Sequence, residues 1–254
     1  GNHIMYFSGQ GKLFVAPLVN GIPGQFRWLG NVPDFKPSFD TSKIEHKESY
    51  SGQRLLDKVI TTENKSTVTA ELEDWSKENL ALAVRGAVSE VTSGTVAAGS
   101  PETSPAGLVA GSIWALKHQK VSAVVIKDGA GTPATLDVGD DYTVDPDFGT
   151  VTIVDVTGYT LPLTASYAYG AVDNIAFFTQ PIQEVALRFE GINTADGNKK
   201  VLAEIYRVAL DPTKDLGLIT NDLGKFSLEG NALVDPTKPD NDLVFGKFGR
   251  LVYL

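Results

Sequence analysis

Most of the chain consists of short runs in which apolar and polar positions alternate, and Gly, Pro, Asn and Asp separate these runs. Alternating runs of about four to eight residues between turn residues are typical of β-strands with one buried face. The N-terminal pair, residues 11–19 and 24–30, flanks an Asn-Gly and a Pro-Gly and predicts a hairpin. The pair at 181–191 and 199–210 flanks an Asp-Gly and predicts a second hairpin. A further strand is expected at 226–235, and the apolar C-terminal tail is expected to be held in its own sheet or on a neighbour.

Residues 68–91 form the one stretch with a convincing helical pattern. Asp74 or Ser76 can accept hydrogen bonds from the free amides of the first turn, and Gly86 offers a left-handed stop at the other end. The apolar side chains between these limits cover most of the helix circumference: Trp75, Leu80, Leu82, Ala83 and Val84. A short helix with so little polar surface has to be covered by a sheet, or by a sheet on one side and a neighbouring subunit on the other.

Two strands are predicted before this helix, at residues 55–60 and 66–72, with a turn at 61–65. Upstream of them, residues 31–50 contain two prolines, mixed charges and no sustained period. This segment nevertheless has four large apolar residues: Phe35, Phe39, Ile44 and Tyr50. A structureless loop of this length is unusual in a compact domain, so we interpret it as an arm that becomes ordered against a partner. The alternative is a loop that folds over its own barrel.

The composition changes after the helix, which indicates an inserted domain. Residues 93–107 are rich in Ser, Thr, Gly and Pro and are predicted to be a linker. Residues 108–178 consist of short, regularly punctuated strands, the spacing of a small β-sandwich or a set of hairpins. Residues 5–92 and 179–254 are expected to form one domain around this insertion, and residues 1–4 read as a cloning remnant before Met5. The predicted fold class is therefore mainly β, a β-sandwich or barrel with one flanking α-helix plus an inserted small all-β domain.

Composition places the chain among ordinary globular proteins. Of its 254 residues, 42% are hydrophobic and 21% are charged, so disorder is not expected. The net charge of -9 argues against a nucleic-acid binder, which normally has a basic surface for the phosphates. The absence of cysteine excludes disulfides, thiol catalysis and cysteine-based metal sites. Because no apolar run approaches the length of a membrane helix and no secretory signal is visible, we expect a soluble protein made in the cytoplasm.

Signatures of chemistry are scarce. The three histidines, His3, His46 and His118, have no ligand spacing with one another or with a carboxylate pair. The aspartates of residues 137–147 lack the spacing and closing Glu of a helix-loop-helix calcium site, and turn formation explains them. GxSxG, a phosphate-binding loop and GxGxxG before a helix are all missing. We therefore predict no catalytic site, no metal and no cofactor, and we expect the protein not to be an enzyme.

The order of these parts resembles the major tail tube protein of long-tailed, siphovirus-type bacteriophages. The resemblance is carried by the helix sequence TAELEDWSKENLALAVRG together with the later strand pair RFEGINTADGNKKVLAEIYRV. It covers roughly residues 5–92 and 179–254, and the region between them is similar to the β insertion that some members carry.

What the resemblance implies is a structural virion protein of the phage tail, made in the host cytoplasm. Copies would form hexameric rings that stack into a hollow tube for DNA ejection, with the insertion outside the tube. The implied partners are further copies of the chain and the terminator, tip and tape measure proteins, with no membrane, while genome DNA passes without specific binding. An acidic protein suits such a conduit because it repels phosphates. The residues expected at contacts between rings or subunits are Phe35, Phe39, Ile44, Tyr50, Arg54, Lys58, Trp75, Phe248 and Tyr253.

Two other functions fit the same pattern. One is the tube protein of a bacterial secretion system, which shares the barrel and the ring but is normally shorter. The other is a carbohydrate-binding or adhesive β module, in which Trp28, Trp114 and exposed tyrosines would stack on sugar rings. Aromatic residues in β proteins are more often part of the core.

Overall fold

The computed structural model describes residues 7–47, 58–221 and 223–254, and it leaves the side chains of residues 44–47 and 58–61 undescribed. Strands make up 48% of the chain and helix 3%, so the predicted mainly β fold with one helix is confirmed. The elements are β1 (Gly9–Val19), β2 (Ile22–Pro23), β3 (Arg27–Trp28), β4 (Asp34–Lys47), β5 (Lys58–Leu72), α1 (Lys77–Ala83), β6 (Val88–Val91), β7 (Gly94–Val96), β8 (Glu102–Thr103), β9 (Ile113–Ala115), β10 (Val121–Lys127), β11 (Tyr142–Asp145), β12 (Thr150–Ile153), β13 (Thr164–Tyr169), β14 (Val172–Ile175), β15 (Glu184–Asn193), β16 (Lys199–Asp211), β17 (Phe226–Ala232) and β18 (Gly249–Tyr253).

The chain divides into two compact units. The first comprises the residues up to Val88 and from Ile175 to Leu254, and the second comprises Ser89–Asn174. The prediction of a linker at residues 93–107 is wrong, because β7 and β8 lie in this segment and both pair with β13 of the second unit. These strands are only three and two residues long and consist largely of Gly, Thr and other small residues, so their composition resembles that of a loop.

An antiparallel sheet with the strand order β2-β1-β15-β16-β17-β5-β4 builds the first unit, and β18 and β3 pair with β16 and β1 at its sides. The rings of Phe35 on β4 and Phe189 on β15 lie 6.1 Å apart, although β16, β17 and β5 separate the two strands in the sheet. The sheet therefore curls around its core like an open barrel. The buried core residues are Leu13, Val15, Leu29, Val68, Ala70, Leu72, Ala83, Val185, Leu187, Val208, Leu210, Phe226 and Leu228.

Turn chemistry places both hairpins where the sequence predicts them. β1 and β2 meet across Asn20 and Gly21, whose φ values of 54° and 77° are those of a tight hairpin turn. β15 and β16 pair along almost their whole length, and Asn198 and Gly197 have positive φ beside the turn between them. The C-terminal tail is held in its own sheet, because β18 pairs with β16.

The helix is much shorter than the sequence pattern predicts. α1 has seven residues, while Val68, Ala70 and Leu72 are alternate buried residues of β5. The prediction is wrong at this end because the same apolar positions fit a period of two as well as a helical face. Ser76 is the N-cap, and its Oγ accepts a hydrogen bond of 3.2 Å from the amide of Asn79.

The helix ends in a way that the sequence does not indicate. Arg85, with a φ of 51°, takes the left-handed position after the cap, and the amide of Gly86 donates to the carbonyl oxygen of Ala81. Gly86 is required for another reason: a Cβ there would lie 2.6 Å from the carbonyl oxygen of Ala176. Gly86, which the sequence predicts as the helix stop, is therefore the place where the chain passes close to the backbone of Ala176.

Residues 31–50 also differ from the prediction, because most of this segment is a strand. β4 pairs with β5 in continuous register from Asp34 opposite Glu71 to Lys47 opposite Lys58. The turn predicted at 61–65 lies inside β5. Beyond the core most residues of these strands are polar, and the few apolar ones, Phe39, Ile44, Val59 and Ile60, do not recur with a period of two, so no alternation of hydropathy marks the strands.

Two small sheets build the core of the second unit, and β6 pairs with β14 where the chain enters and leaves this unit. One has the order β10-β13-β7 with β8 also paired to β13, and the other has the order β11-β12-β9. Residues of both sheets share one core, which makes this unit a small β-sandwich. The largest of the fully buried side chains in it are Trp114, Ile126, Val151, Ile153 and Leu163.

Candidate assembly surfaces of the first unit

The outer halves of β4 and β5 form a two-stranded ribbon, which we call the arm. It consists of residues 40–47 of β4 and 58–65 of β5, which pair with each other, whereas β17 pairs with β5 only from Ser66 to Leu72. Eight residues of extended strand project about 26 Å. Because a two-stranded ribbon is at best marginally stable in water, the arm is suited to a partner.

The core-facing row of apolar residues on β4 continues to the base of the arm without being covered. Phe35 packs against the core cluster, and Phe39 lies four residues further along, on the same face of the strand. Phe39 is 81% exposed. It stands opposite Ser66, the last residue of β5 that pairs with β17, so the sheet that shields Phe35 ends at the row of Phe39.

β18 carries further uncovered residues on the core side of the sheet. Leu251 stands opposite Ala203 and Tyr253 stands opposite Val201, and Val201 faces the core with 6% exposure. Directly opposite residues of antiparallel strands share a face, so Leu251 and Tyr253 also lie on the core side. They are nevertheless 69% and 64% exposed. We call Phe39, Leu251 and Tyr253 the open face.

A pair of glycines explains why the filled core ends near this face. Gly11 and Gly191 stand directly opposite each other, and a Cβ on Gly191 would lie 2.4 Å from the ring of Phe189. A Cβ on Gly11 would lie 2.3 Å from the carbonyl oxygen of Glu190. The Phe189 ring therefore lies across the bare backbone of the two glycines, and few side chains extend the core beyond it.

The connection between β16 and β17 carries exposed apolar side chains. Leu218 is 81% exposed, Ile219 100% and Leu223 69%. We call these three residues the apolar loop. Hydrogen bonds fix the connection at both ends. The amide of Thr213 donates to the carbonyl oxygen of Ala83 at 2.7 Å, and Trp75 Nε1 donates to the carbonyl oxygen of Gly224 at 3.0 Å.

Asn79 is the polar residue that attaches α1 to the sheet. It is fully buried, and its Nδ2 donates to the carbonyl oxygens of Leu29 at 2.8 Å and Asp74 at 2.9 Å. Its Oδ1 accepts a hydrogen bond of 2.6 Å from Arg27. Burial lowers the pKa of Arg27, while the negative charges of Glu78 and Asp74 act to raise it.

Ion pairs on the outer surface of the sheet hold β18 in place. Glu204 of β16 accepts from Arg188 of β15 and from Arg250 of β18, each at 3.0 Å. Glu184 and Arg207 form a bidentate pair at 2.7 and 2.8 Å, and the hydrogen bonds from Arg207 lower the pKa of Glu184. Because these pairs link three strands, they fix the positions of Leu251 and Tyr253 indirectly.

Negative charge is concentrated in the second unit. Residues 89–174 contain 10 carboxylates and 3 lysines, a formal charge of -7. The remaining 21 carboxylates and 19 basic residues leave the first unit at -2. The sequence argument that an acidic protein suits a DNA conduit therefore applies to the second unit far more than to the curled sheet.

The predicted contact residues have different positions in the structure. Phe39 and Tyr253 are exposed and both belong to the open face. Phe35 and Trp75 pack against the core of their own unit, and the Trp75 ring makes an edge contact with Phe226 at 5.6 Å. Phe248 is half-buried, and its carbonyl oxygen accepts from the amide of Tyr206.

The remaining predicted residues cannot be placed as contacts. Ile44 and Lys58 occupy strand positions in the arm, with side chains outside the described part. Tyr50 and Arg54 lie outside the described residues altogether. Leu218 and Ile219, by contrast, were not predicted as contacts, and Leu251 was noticed only as part of the apolar tail expected to be held in its own sheet or on a neighbour. The signal for Leu218 and Ile219 was the apolar LGLI at residues 216–219.

The acidic residues and the tryptophans considered as candidates for metal or sugar binding lie as follows. Within the described residues, no group of three or more His, Cys, Asp and Glu side chains could hold a metal ion. The carboxylate of Asp128 accepts from the amides of Ala134 and Thr160 at 2.7 and 3.1 Å, which organises a loop of the second unit. Of the tryptophans proposed to stack on sugars, Trp114 is 1% exposed and belongs to the core, whereas Trp28 is 51% exposed with Lys12 Nζ 4.8 Å from its ring centre.

A comparison with protein families gives one match. The model of the family described as "Protein of unknown function UCP028589" matches residues 6–252. The chain belongs to this family. The UCP028589 match runs through the second unit as well as the first. No curated protein matches the chain. Among the helices of the described residues, none is long and apolar enough to cross a membrane.

Proposed function

We propose that the protein is a structural subunit that polymerises into stacked rings and forms the tube of a phage tail. The observation that carries this proposal is the arm, a paired ribbon that no other strand of the described residues flanks. A ribbon of this kind gains little by projecting into water. It gains a packed face and edge partners when it lies on another copy.

The positions of the uncovered surfaces favour polymerisation over a closed dimer. The arm and the open face lie at one end of the curled sheet. The apolar loop lies at the other end, where it connects β16 to β17 beside the last residue of β5. Contacts between two different surfaces are heterologous, and they generate rings or open filaments depending on the rotation between copies. Two-fold contacts, in which one surface meets itself, would stop at two copies.

Free strand edges support contacts within a ring. β4 has one partner, β5, and residues 9–12 of β1 have no partner strand on the side away from β15 in the described chain. Such edges can pair with the next subunit. The number six, the passage of DNA without specific binding, and the partnership with terminator, tip and tape measure proteins come from the family resemblance. In this role the protein is structural and has no catalytic task.

Removal of the arm tests the proposal. Residues 41–64 are replaced by Asn-Gly, which keeps Phe35, Phe39 and the paired part of β5. Deleting all of residues 34–49 would instead remove the strand that carries Phe35 in the core. The shortened variant should keep the circular dichroism spectrum of a folded β protein and stay small in analytical ultracentrifugation at concentrations where the full chain sediments as polymer. If the folded variant formed as much polymer as the full chain does at the same concentration, the proposal would be contradicted.

A further inference from the structure

We propose that the open face of one copy binds the apolar loop of a second copy, so that successive copies meet head to tail through an apolar contact. This inference rests on the proposed polymerisation and names the two surfaces that meet. The open face consists of Phe39, Leu251 and Tyr253, and the apolar loop of Leu218, Ile219 and Leu223. Each set is uncovered in its own copy.

The open face is a continuation of the core that its own chain does not cover. Leu251 lies in the same cross-strand row as Phe189, through Ala203, and Phe189 contacts the core residue Phe35. A partner side chain that lies on Phe39 and Tyr253 would therefore extend a packed apolar layer. Large exposed apolar patches of this kind mark interaction sites.

The apolar loop has the form of an insertion element. Ile219 is fully exposed, and the hydrogen bonds at Thr213 and Gly224 hold the two ends of the connection against α1 and Trp75. A loop that is fixed at its ends loses less conformational freedom on binding than a free segment does. Its apolar side chains are available for a concave apolar surface.

The two surfaces cannot meet within one copy, because the strands separate them. From Ser66, opposite Phe39, β5 runs about 20 Å to Leu72, next to the end of the apolar loop. From Val201, opposite Tyr253, β16 runs about 30 Å to Asp211, where the loop begins. The apolar loop of one copy can therefore reach only the open face of another copy. In a stack of copies, one end then keeps an unoccupied apolar loop and the other end keeps an unoccupied open face.

More carboxylates than basic residues flank the apolar loop: Asp211, Asp215 and Glu229 against Lys214 and Lys225. Asp211 and Glu229 stand directly opposite each other beside the apolar loop, and like charges at such positions repel. Lys65 and Lys200 are exposed next to the open face, and neither makes an ion pair in the part of the chain that the structure describes. A head-to-tail approach brings these lysines towards the acidic pair, which favours this orientation over face to face or loop to loop.

Cysteine cross-linking tests the contact directly, because the chain has no cysteine of its own. A variant with Ile219→Cys and Tyr253→Cys is assembled and then mildly oxidised. We expect a ladder of covalent oligomers on a denaturing gel, since each copy would link to the copy before it and the copy after it. The matched control is Ile219→Cys with Leu243→Cys, because Leu243 is also 100% exposed but lies outside the open face.

Mixing two blocked variants tests the head-to-tail polarity. Ile219→Asp places a charge in the apolar loop and leaves the open face unchanged. Tyr253→Asp places a charge in the open face and leaves the apolar loop unchanged. Each variant alone should stop at its smallest unit, and a mixture of the two should double that mass and go no further, as measured by mass photometry. Leu243→Asp should polymerise as the full chain does.

The possible outcomes separate this inference from the proposed function. Polymers of the full chain without a cross-link ladder, or normal polymers of Ile219→Asp, would overturn the inference and leave the proposed function standing. A full chain that forms no polymer at any concentration would overturn both. A ladder that also appears in the Leu243 control would show non-specific collision and would overturn the inference.

Discussion

Asn79 is the buried side chain on which the position of α1 depends most directly. Its amide group makes hydrogen bonds to Arg27, Leu29 and Asp74, and no part of it is exposed. In Asn79→Ala the buried carbonyl oxygen of Leu29 and the half-buried guanidinium of Arg27 each lose a hydrogen bond, so we expect a loss of about 3 kcal/mol in the free energy of unfolding. Urea unfolding followed by tryptophan fluorescence measures this change. Asn231→Ala, at an exposed position of β17, should stay within about 0.5 kcal/mol of the full chain. An equal effect of both substitutions would contradict the role assigned to Asn79.

The limits of sequence reasoning at the residue scale are visible in Phe35 and Phe39. Both were predicted as contact residues from the same segment, and both lie on one face of β4. One packs in the core and the other is 81% exposed. The difference arises because β17 pairs with β5 only as far as Ser66, and the length of a neighbouring strand is a tertiary property that a local pattern does not contain.

At the element scale, turn residues predicted more than hydropathy did. Asn20-Gly21 and the Asp-Gly at residues 196–197 placed two hairpins correctly, because Asn20, Gly21 and Gly197 adopt the positive φ that such turns need. The helix was predicted too long because the apolar positions of residues 68–72 fit both periods, and tertiary pairing with β17 selects the strand. β4 was taken for a loop because a ribbon that is exposed on both faces has no alternation to detect.

Hydrogen exchange distinguishes the two halves of β5. Residues 58–65 pair only with the arm partner, whereas residues 66–72 pair with strands on both sides. In the monomer, amides of the outer half should exchange roughly a hundredfold faster than those of the inner half, because local opening costs less there. On assembly the outer half should become protected while the inner half changes little. Mass spectrometry of peptides from the two halves provides the measurement, and equal protection before assembly would contradict the arm as an unsupported ribbon.

At the scale of the whole molecule, the distribution of charge changes one sequence argument. The net charge of -9 was read as a property that keeps DNA from binding to a conduit, but -7 of it belongs to residues 89–174 and -2 to the first unit. Repulsion of phosphates by the curled sheet therefore depends on which of its side chains face a lumen. The overall charge does not decide this.

The whole-molecule architecture was predictable in class and less so in detail. Alternating runs and turn residues indicated a mainly β chain with an insertion, and the mainly β class is confirmed. The bounds of the second unit were missed because β7 and β8 are too short to be recognised without their partner β13. The open face and the apolar loop follow from strand lengths and register, so they became visible only when the strands were paired.

Electron microscopy of the full chain at rising protein concentration tests the central claim most directly. If copies associate through the arm, the open face and the apolar loop, hollow tubes built from stacked rings should appear and lengthen as the concentration increases. A chain that remains a folded monomer at every concentration, or that stops at a compact pair of copies, would contradict the account.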